Sequence, residues 1–330
     1  MTPLVSIGIP TYNRSALLRQ AIQSVLQQTC QDFEVIVSDD CSTDDTAAVV
    51  AGFGDARLRY QRTPYNLRPP RNWNECVRLA RGEFFALLPD DDVYCPTFLE
   101  RMTRALAGEP AAGFAQCGFY AVDERLRPYK TVLPSPPAPF CQGEEALIWQ
   151  MERLECIPAA LLFRRAALLD LGLWREDYFD DWALIVRLAY RRGFVSVPAP
   201  LACNRLHGAN LNLQMRSAGD DIILHSINQM ADVFGAALPA TPRLEALRAR
   251  LERQLSEHCV LLALGALRRA DWQKARFHFA RARRLYALAG LDPRFIGLAL
   301  RIRRQLRQER RRLAAAQRLA PAVILGAANP

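Results

Sequence analysis

Residues 33–40 read FEVIVSDD. FEVIVS is a near-continuous apolar run without the every-other-residue polarity of a half-solvated strand, which is the pattern of a strand covered on both faces inside a parallel sheet. It stops at two aspartates. Working outward, strand and helix signals alternate. Val5–Pro10 is a short β-rich run, and Ser15 caps a helix through Gln28 that gathers Leu17, Leu18, Ile22 and Val25 on one face. Ser42 caps a second helix. Leu58–Gln61 then reads as a strand, Trp73–Ala80 as a helix, Phe84–Leu88 as a strand, and Pro96 opens another helix. This alternation predicts an α/β fold, a mostly parallel sheet flanked by helices.

After the loop PSPPAP (134–139) the alternation loosens, with a helix over Asp180–Arg192 and an extended stretch to Arg205. From Asp220 the strand signals vanish. Thr241-Pro242 starts a long helix, Asp271 caps another that Gly290 ends, and Asp292-Pro293 opens a third. The expected division is an α/β unit over 1–215 and an all-α region over 216–330. Leu262–Leu285 resembles one tetratricopeptide-like hairpin, but a single copy also reads as an ordinary helical hairpin.

Composition narrows the functional classes. The chain has 330 residues, 50% hydrophobic and 23% charged, so it is globular. Its longest uncharged apolar runs, Cys259–Leu267 and Leu319–Pro330, fall short of the ~20 residues of a membrane-spanning helix. No basic region followed by an apolar stretch opens the sequence, so neither secretion nor membrane spanning is expected. Nine scattered cysteines without a C-x-x-C pair point to reduced thiols and a cytoplasmic location. Lysine occurs only at Lys130 and Lys274, and none follows a glycine, which excludes a Walker-type phosphate loop.

The net charge of +9 is concentrated. Arg301–Arg318 holds eight arginines against Glu309, seven of those nine charges. On a helix from Pro293, Ala299, Ile302, Leu306 and Leu313 form one stripe among them. That segment suits either an anionic membrane surface or packing on the rest of the region. Without aromatic stacking residues it does not suit nucleic acid.

In a parallel sheet, ligands bind beyond the carboxyl ends of the strands. Those positions hold Thr11-Tyr12-Asn13, Asp39-Asp40 and Asp90-Asp91-Asp92. Five carboxylates at one edge repel unless a cation relieves them, and oxygen ligation suits Mg2+ or Mn2+ with open positions for phosphate oxygens. A nucleoside-diphosphate substrate is the expectation. Asp44 and Asp45 read as helix caps.

Four segments in order, VSIGIPTYNR (5–14), QDFEVIVSDDCSTDDT (31–46), NLRPPRNWNECVRLARGEFFALLPDDD (66–92) and FDDWALIVRL (179–188), resemble the family-2 glycosyltransferases of the GT-A fold. The resemblance covers the first ~215 residues, about two thirds of the chain. It implies a sugar-nucleotide donor and transfer with inversion. Carried over by position, Pro10, Thr11 and Tyr12 line the base and ribose pocket, Asp39 accepts from the base, and Arg71 lies near the nucleotide. Asp90 and Asp91 stand for the D-x-D-like motif that holds ribose and metal, with Asp91 the metal ligand. Pro89 replaces the first acid usual there, and Arg68 replaces a common glycine.

In Asp180-Asp181 the resemblance implies a catalytic base, assigned to Asp181. Asp180 reads as a helix cap and Asp177 as a further candidate base, while both acids of the pair also suit a helix N-terminus through its dipole. His207, in Arg205-x-His207, matches a histidine that in some members approaches metal or diphosphate, although Asn204 takes an aromatic place. The Q-x-x-R-W motif of processive synthases is missing after Asp181, which favours single-sugar addition. The resemblance thus implies a metal-dependent transferase acting on a glycan or lipid-linked acceptor in bacterial envelope or exopolysaccharide assembly. A sugar-nucleotide-binding module working through its helical region is the alternative. A nucleotidyltransferase is disfavoured, because Gly8 lies within a strand and no lysine is near.

Overall fold

In the computed structural model, strand β1 (Val5–Thr11) is buried along its whole length between two parallel partners. The structure describes residues 2–153, 156–175, 181–207, 241–269 and 271–285, with single positions at 233, 238 and between 297 and 311. On one side β1 pairs with β2 (Phe33–Asp39), which pairs in turn with β3 (Leu58–Arg62). On the other it pairs with β4 (Phe84–Leu87).

The register sets Thr11 beside Asp39 and Asp39 beside Arg62, so the acids after β2 and β4 emerge at the same sheet edge as Thr11. Continuous apolar runs follow from this placement. Val35 and Val37 face one core while Ile36 faces the other, and Phe84 and Ala86 are likewise split from Phe85 and Leu87. Successive side chains point to opposite faces of a strand, and here both faces are covered.

One face carries α1 (Ser15–Leu26), through Leu18, Ile22 and Val25, and also α4 (Phe98–Gly108), through Leu99, Met102 and Leu106. The other carries α3 (Pro69–Leu79), α5 (Gly143–Arg153), α6 (Arg165–Leu171) and α7 (Asp181–Arg192), through Cys76, Val77, Trp149, Leu168, Leu184 and Leu188. Gly8 sets the spacing: a Cβ there would lie 2.5 Å from Cys76 Cβ, so only glycine lets α3 lie this close to β1.

Beyond β4 the sheet becomes mixed. β9 (Leu161–Arg164) runs antiparallel to β4, and β6 (Phe114–Val122) antiparallel to β9. β10 (Phe194–Arg205) is parallel to β6, and β5 (Val93–Tyr94) antiparallel to β10. Two short strands, β7 (Pro128–Val132) and β8 (Phe140–Cys141), join β6 and β10.

Three helix starts differ from the sequence expectation. Ser15 is the first residue of α1, and Arg14 holds the position before it. The second helix, α2 (Thr46–Ala51), begins well after Ser42: Asp45 holds the cap position without a side-chain bond, and Asp44 Oδ1 accepts from Thr46 N at 3.1 Å. The third begins at Pro69-Pro70, where missing N–H groups cost nothing at a first turn.

At the opposite edge of the sheet Glu34, only 3% exposed, is enclosed by donors. Ser6 Oγ donates to Oε1 at 2.7 Å, Arg59 Nη1 and Arg81 Nη2 each to Oε2 at 2.7 Å, and Arg81 N to Oε1 at 2.9 Å. Burial pushes this carboxyl up, but the hydrogen bonds from Arg81, Ser6 and Arg59 outweigh it and hold it at about 2.

The chain forms two compact units, Met1–Leu238 and Pro239–Pro330. In the second, Thr241 caps α8 (Pro242–Arg268) by accepting from Leu244 N at 3.2 Å, and Asp271 Oδ1 accepts from Lys274 N at the start of α9 (Trp272–Leu285). Ala263 packs with Val260, Leu264, Leu267 and Phe279, and Ser256 Oγ donates to Ala282 O at 3.0 Å. Gly290, the turn at Asp292-Pro293 and the stripe residues Ala299, Ile302, Leu306 and Leu313 lie outside the described residues, as does the expected 215/216 boundary.

Candidate functional site

Thr11, the last residue of β1, joins the two acidic loops. Its carbonyl accepts from Asp40 N at 2.9 Å, and its Oγ1 donates to Asp90 Oδ2 at 2.7 Å. Asn13 (φ 52°) turns the chain sharply and ties the first of these loops further out. Its N donates to Ser42 Oγ at 2.9 Å, and its side-chain oxygen accepts from Thr43 N at 2.7 Å. Asp44 does more than serve the start of α2, since its Oδ2 also accepts from Ser15 N at 3.0 Å and serves the first turn of α1.

The five edge carboxylates divide by what they touch. Asp39 is 1% exposed; its Oδ1 accepts from Ser42 N at 2.8 Å, its Oδ2 from the Tyr60 hydroxyl, and Arg62 Nε stands 3.8 Å away. Burial, and then Asp39, raise the Tyr60 phenol well above its ordinary range, so it remains a donor. Asp40 fastens the loop before α3, accepting from Leu67 N, from Arg68 N at 3.0 Å and from Thr63 Oγ1 at 3.3 Å. Arg68, in the place of the family's glycine, has φ 70° and ψ 159°, a conformation that glycine adopts freely and other residues rarely.

Asp92 fastens another loop: its Oδ1 accepts from Arg205 N at 2.8 Å, joining the segment after β4 to the end of β10. Burial first, and then the neighbouring Asp91, push this carboxyl well above the usual range.

Asp90 and Asp91 are left as a buried pair at the mouth of the site. Arg14 Nη1 lies 3.2 Å from Asp90 Oδ1 and 3.1 Å from Asp91 Oδ2. His207 Nε2 lies 3.0 Å from the same Asp91 oxygen. Burial pushes Asp90 up to about 6; Arg14 opposes this and Asp91 adds to it.

The sequence-expected residues are therefore placed as follows. Thr11, Asp90, Asp91 and His207 meet directly or through one shared atom, and Asp39 stands one strand away across the β1–β2 pairing. Pro10 is buried in β1 and Tyr12 is 47% exposed at its end. Arg71 is exposed in the first turn of α3. Asp181 is the first residue of α7, and only its main chain is described; Asp177 and Asp180 lie outside the described residues.

Sequence reasoning missed Arg14, Tyr60 and Arg62. Arg14 closes the quoted segment VSIGIPTYNR, and a lone cation directly after the first carboxyl-end loop was the signal available for it.

The family model described as Glycosyl transferase family 2 matches residues 6–172, which contain every acid of this edge. The chain belongs to glycosyl transferase family 2. An uncharacterised protein of Mycobacterium tuberculosis is 30% identical over 224 residues, 62% of this chain and 67% of that protein. The GalNAc(5)-diNAcBac-PP-undecaprenol β-1,3-glucosyltransferase of Campylobacter jejuni is 43% identical over 93 residues, 27% of this chain, which spans only 30% of that enzyme. Among solved structures, a Pyrobaculum calidifontis mannosyltransferase in complex with GDP-Man and Mn2+ superposes with a TM-score of 0.57 at 17% identity, over 93% of this chain and 81% of that one. The fold of this family-2 chain is accordingly of GT-A type, an α/β sheet followed by a helical region.

For a divalent ion, the donor set offers one carboxylate oxygen and one imidazole nitrogen. Two ligands side by side on an octahedral ion with bonds of about 2.1 Å lie about 3 Å apart. Asp91 Oδ2 and His207 Nε2 lie 3.0 Å apart, in hydrogen-bond contact, and that spacing is also compatible with two neighbouring ligands of Mn2+ or Mg2+. Among the described residues no group of three or more His, Cys, Asp or Glu side chains converges on one point. No helix among them is long and apolar enough to cross a membrane.

Proposed function

We propose that this chain moves one sugar from a nucleoside-diphosphate sugar to an acceptor hydroxyl with inversion at the anomeric carbon. The observation that carries the reading is the meeting of Asp90, Asp91, Arg14 and His207 beside Thr11 at the carboxyl edge of the sheet. Pro10, Thr11, Tyr12, Asp39 and Arg71 hold the base and ribose end of the donor, and Asp90 holds the ribose. Asp91 and His207 would hold Mn2+ or Mg2+, whose charge, when bound, stabilises the departing diphosphate. Two protein ligands leave coordination positions for phosphate oxygens and water, in keeping with how such ions bind substrate phosphates.

Asp181, at the start of α7, takes the acceptor proton. The hydroxyl oxygen forms its bond to the anomeric carbon as the bond from that carbon to the diphosphate oxygen breaks, and the proton passes to the Asp181 carboxylate. The acceptor is a glycan or lipid-linked sugar of the bacterial envelope or exopolysaccharide, met at the cytoplasmic face of the membrane. The C. jejuni relative, whose name includes PP-undecaprenol, supports that class.

The test is Asp181→Asn. Transfer falls by about 10³-fold or more, within the range of a lost general base, while Mn2+-dependent stabilisation by a nucleoside diphosphate in a thermal-shift assay is retained. Unchanged transfer removes Asp181 as base, and proton NMR of the product's anomeric centre decides inversion.

A further inference from the structure

Asp90 and Asp91 lie side by side where water scarcely reaches, 4% and 8% exposed. Two adjacent anions in such a place repel, and a guanidinium from a different loop stands against them. Arg14 Nη1 bridges the pair, 3.2 Å from Asp90 Oδ1 and 3.1 Å from Asp91 Oδ2. The Asp91 oxygen it takes is the one 3.0 Å from His207 Nε2. An ion gripped by Asp91 and His207 would therefore meet the Arg14 guanidinium at a single atom, like charge against like.

We propose that Arg14 is a resident counter-cation of the site, holding Asp90 and Asp91 together before the donor arrives and giving up Asp91 when a divalent ion and a diphosphate enter together. This rests on the metal assignment proposed above. A divalent ion on that oxygen is repelled by the guanidinium beside it, and the diphosphate supplies the negative charge that relieves the repulsion. It also gives Arg14 a new partner, because a guanidinium fork matches phosphate oxygens in charge and geometry.

The main chain beside Arg14 is fixed by the two hydrogen bonds of Asn13, so the side chain is what moves. With 28% of that side chain exposed, solvent reaches one side of it. Arg14 is thus a positioning residue that couples two ligands: each binds better once the other is present, by the same factor.

The experiment is Mn2+ binding, read from the electron paramagnetic resonance of the free ion, with and without uridine or guanosine diphosphate, in the wild type, Arg14→Gln and Arg14→Lys. In the wild type, diphosphate tightens Mn2+ binding by about 30-fold or more, within the usual range of coupling between sites. In Arg14→Gln, Mn2+ alone binds about 10-fold more tightly and the enhancement by diphosphate shrinks to about 3-fold or less. Arg14→Lys, which keeps the charge but not the fork, stays near the wild type for Mn2+ alone and retains part of the enhancement by diphosphate. Unaltered Mn2+ affinity and coupling in Arg14→Gln overturn the proposal. So does a wild type in which Mn2+ and diphosphate bind independently, a measurement that does not depend on any variant folding. Absence of Mn2+ binding to the wild type under every condition overturns the metal assignment itself, and the coupling falls with it.

Discussion

Glu34 and Asp91 stand at opposite ends of the same parallel strands, and both are carboxylates nearly closed to water. Glu34 is met by Ser6, Arg59 and Arg81 and is held ionised far into acid. At the other end acid neighbours acid: burial raises Asp90 to about 6 and Asp92 well above its ordinary range, and Arg14 opposes the rise at Asp90. A buried carboxylate with matched donors is part of the scaffold. A cluster whose members disfavour one another's charge stores a demand for a cation, which is how a site differs from a core.

The largest effect that can break this contrast is at Asp91. In Asp91→Asn, transfer falls by about 10³-fold or more, while the melting temperature holds or rises, because one of three adjacent anions is gone. Mn2+-supported transfer and thermal melts measure the two sides. An Asp91→Asn chain that unfolds, or one that transfers normally, ends the comparison.

Glu34→Gln is its mirror. The hydrogen bonds that two arginines make to a charged acceptor are weakened, at about 2 kcal/mol of stability, with turnover per folded molecule unchanged. The pH response sharpens this. Because the folded carboxyl sits at about 2 against an ordinary 4.5, its contribution is complete above about 4.5 and disappears as the pH falls toward 2. Urea unfolding midpoints between pH 6 and 3 decline more steeply in the wild type than in Glu34→Gln.

The smallest effect is at Arg68. Glycine relieves a backbone of φ 70° and ψ 159° and raises stability by about 1 kcal/mol. Equilibrium unfolding of Arg68→Gly that gives no gain means Asp40 does not impose that conformation.

The parallel half of the sheet was legible because its signals are local. FEVIVS and FFALL lack alternation since both faces are covered, and Thr241-Pro242 and Asp271 mark helix starts with their own side chains. Strands β5 to β9 were missed, because Gly118, Gln116 and Cys117 interrupt the pattern of β6, and its pairing with β9 and β10 depends on residues far along the chain.

In the site, the presence of acids at 39–40 and 90–92 was readable but their division of labour was not. Asp40 and Asp92 look like Asp90 and Asp91 in sequence, yet each is used by main-chain donors 27 to 113 residues away. The grip of Arg14 on the acid pair spans 76 and 77 residues, and no spacing rule reaches that far.

Thr11 does two jobs with separable atoms. Its carbonyl fastens the loop of Asp39 and its hydroxyl fastens the loop of Asp90. A valine there would keep the first link and cut the second with almost no change of shape. The loop of Asp39 and Asp40 and the loop of Asp90 are therefore anchored on one residue, so a load placed on either loop reaches the other through Thr11.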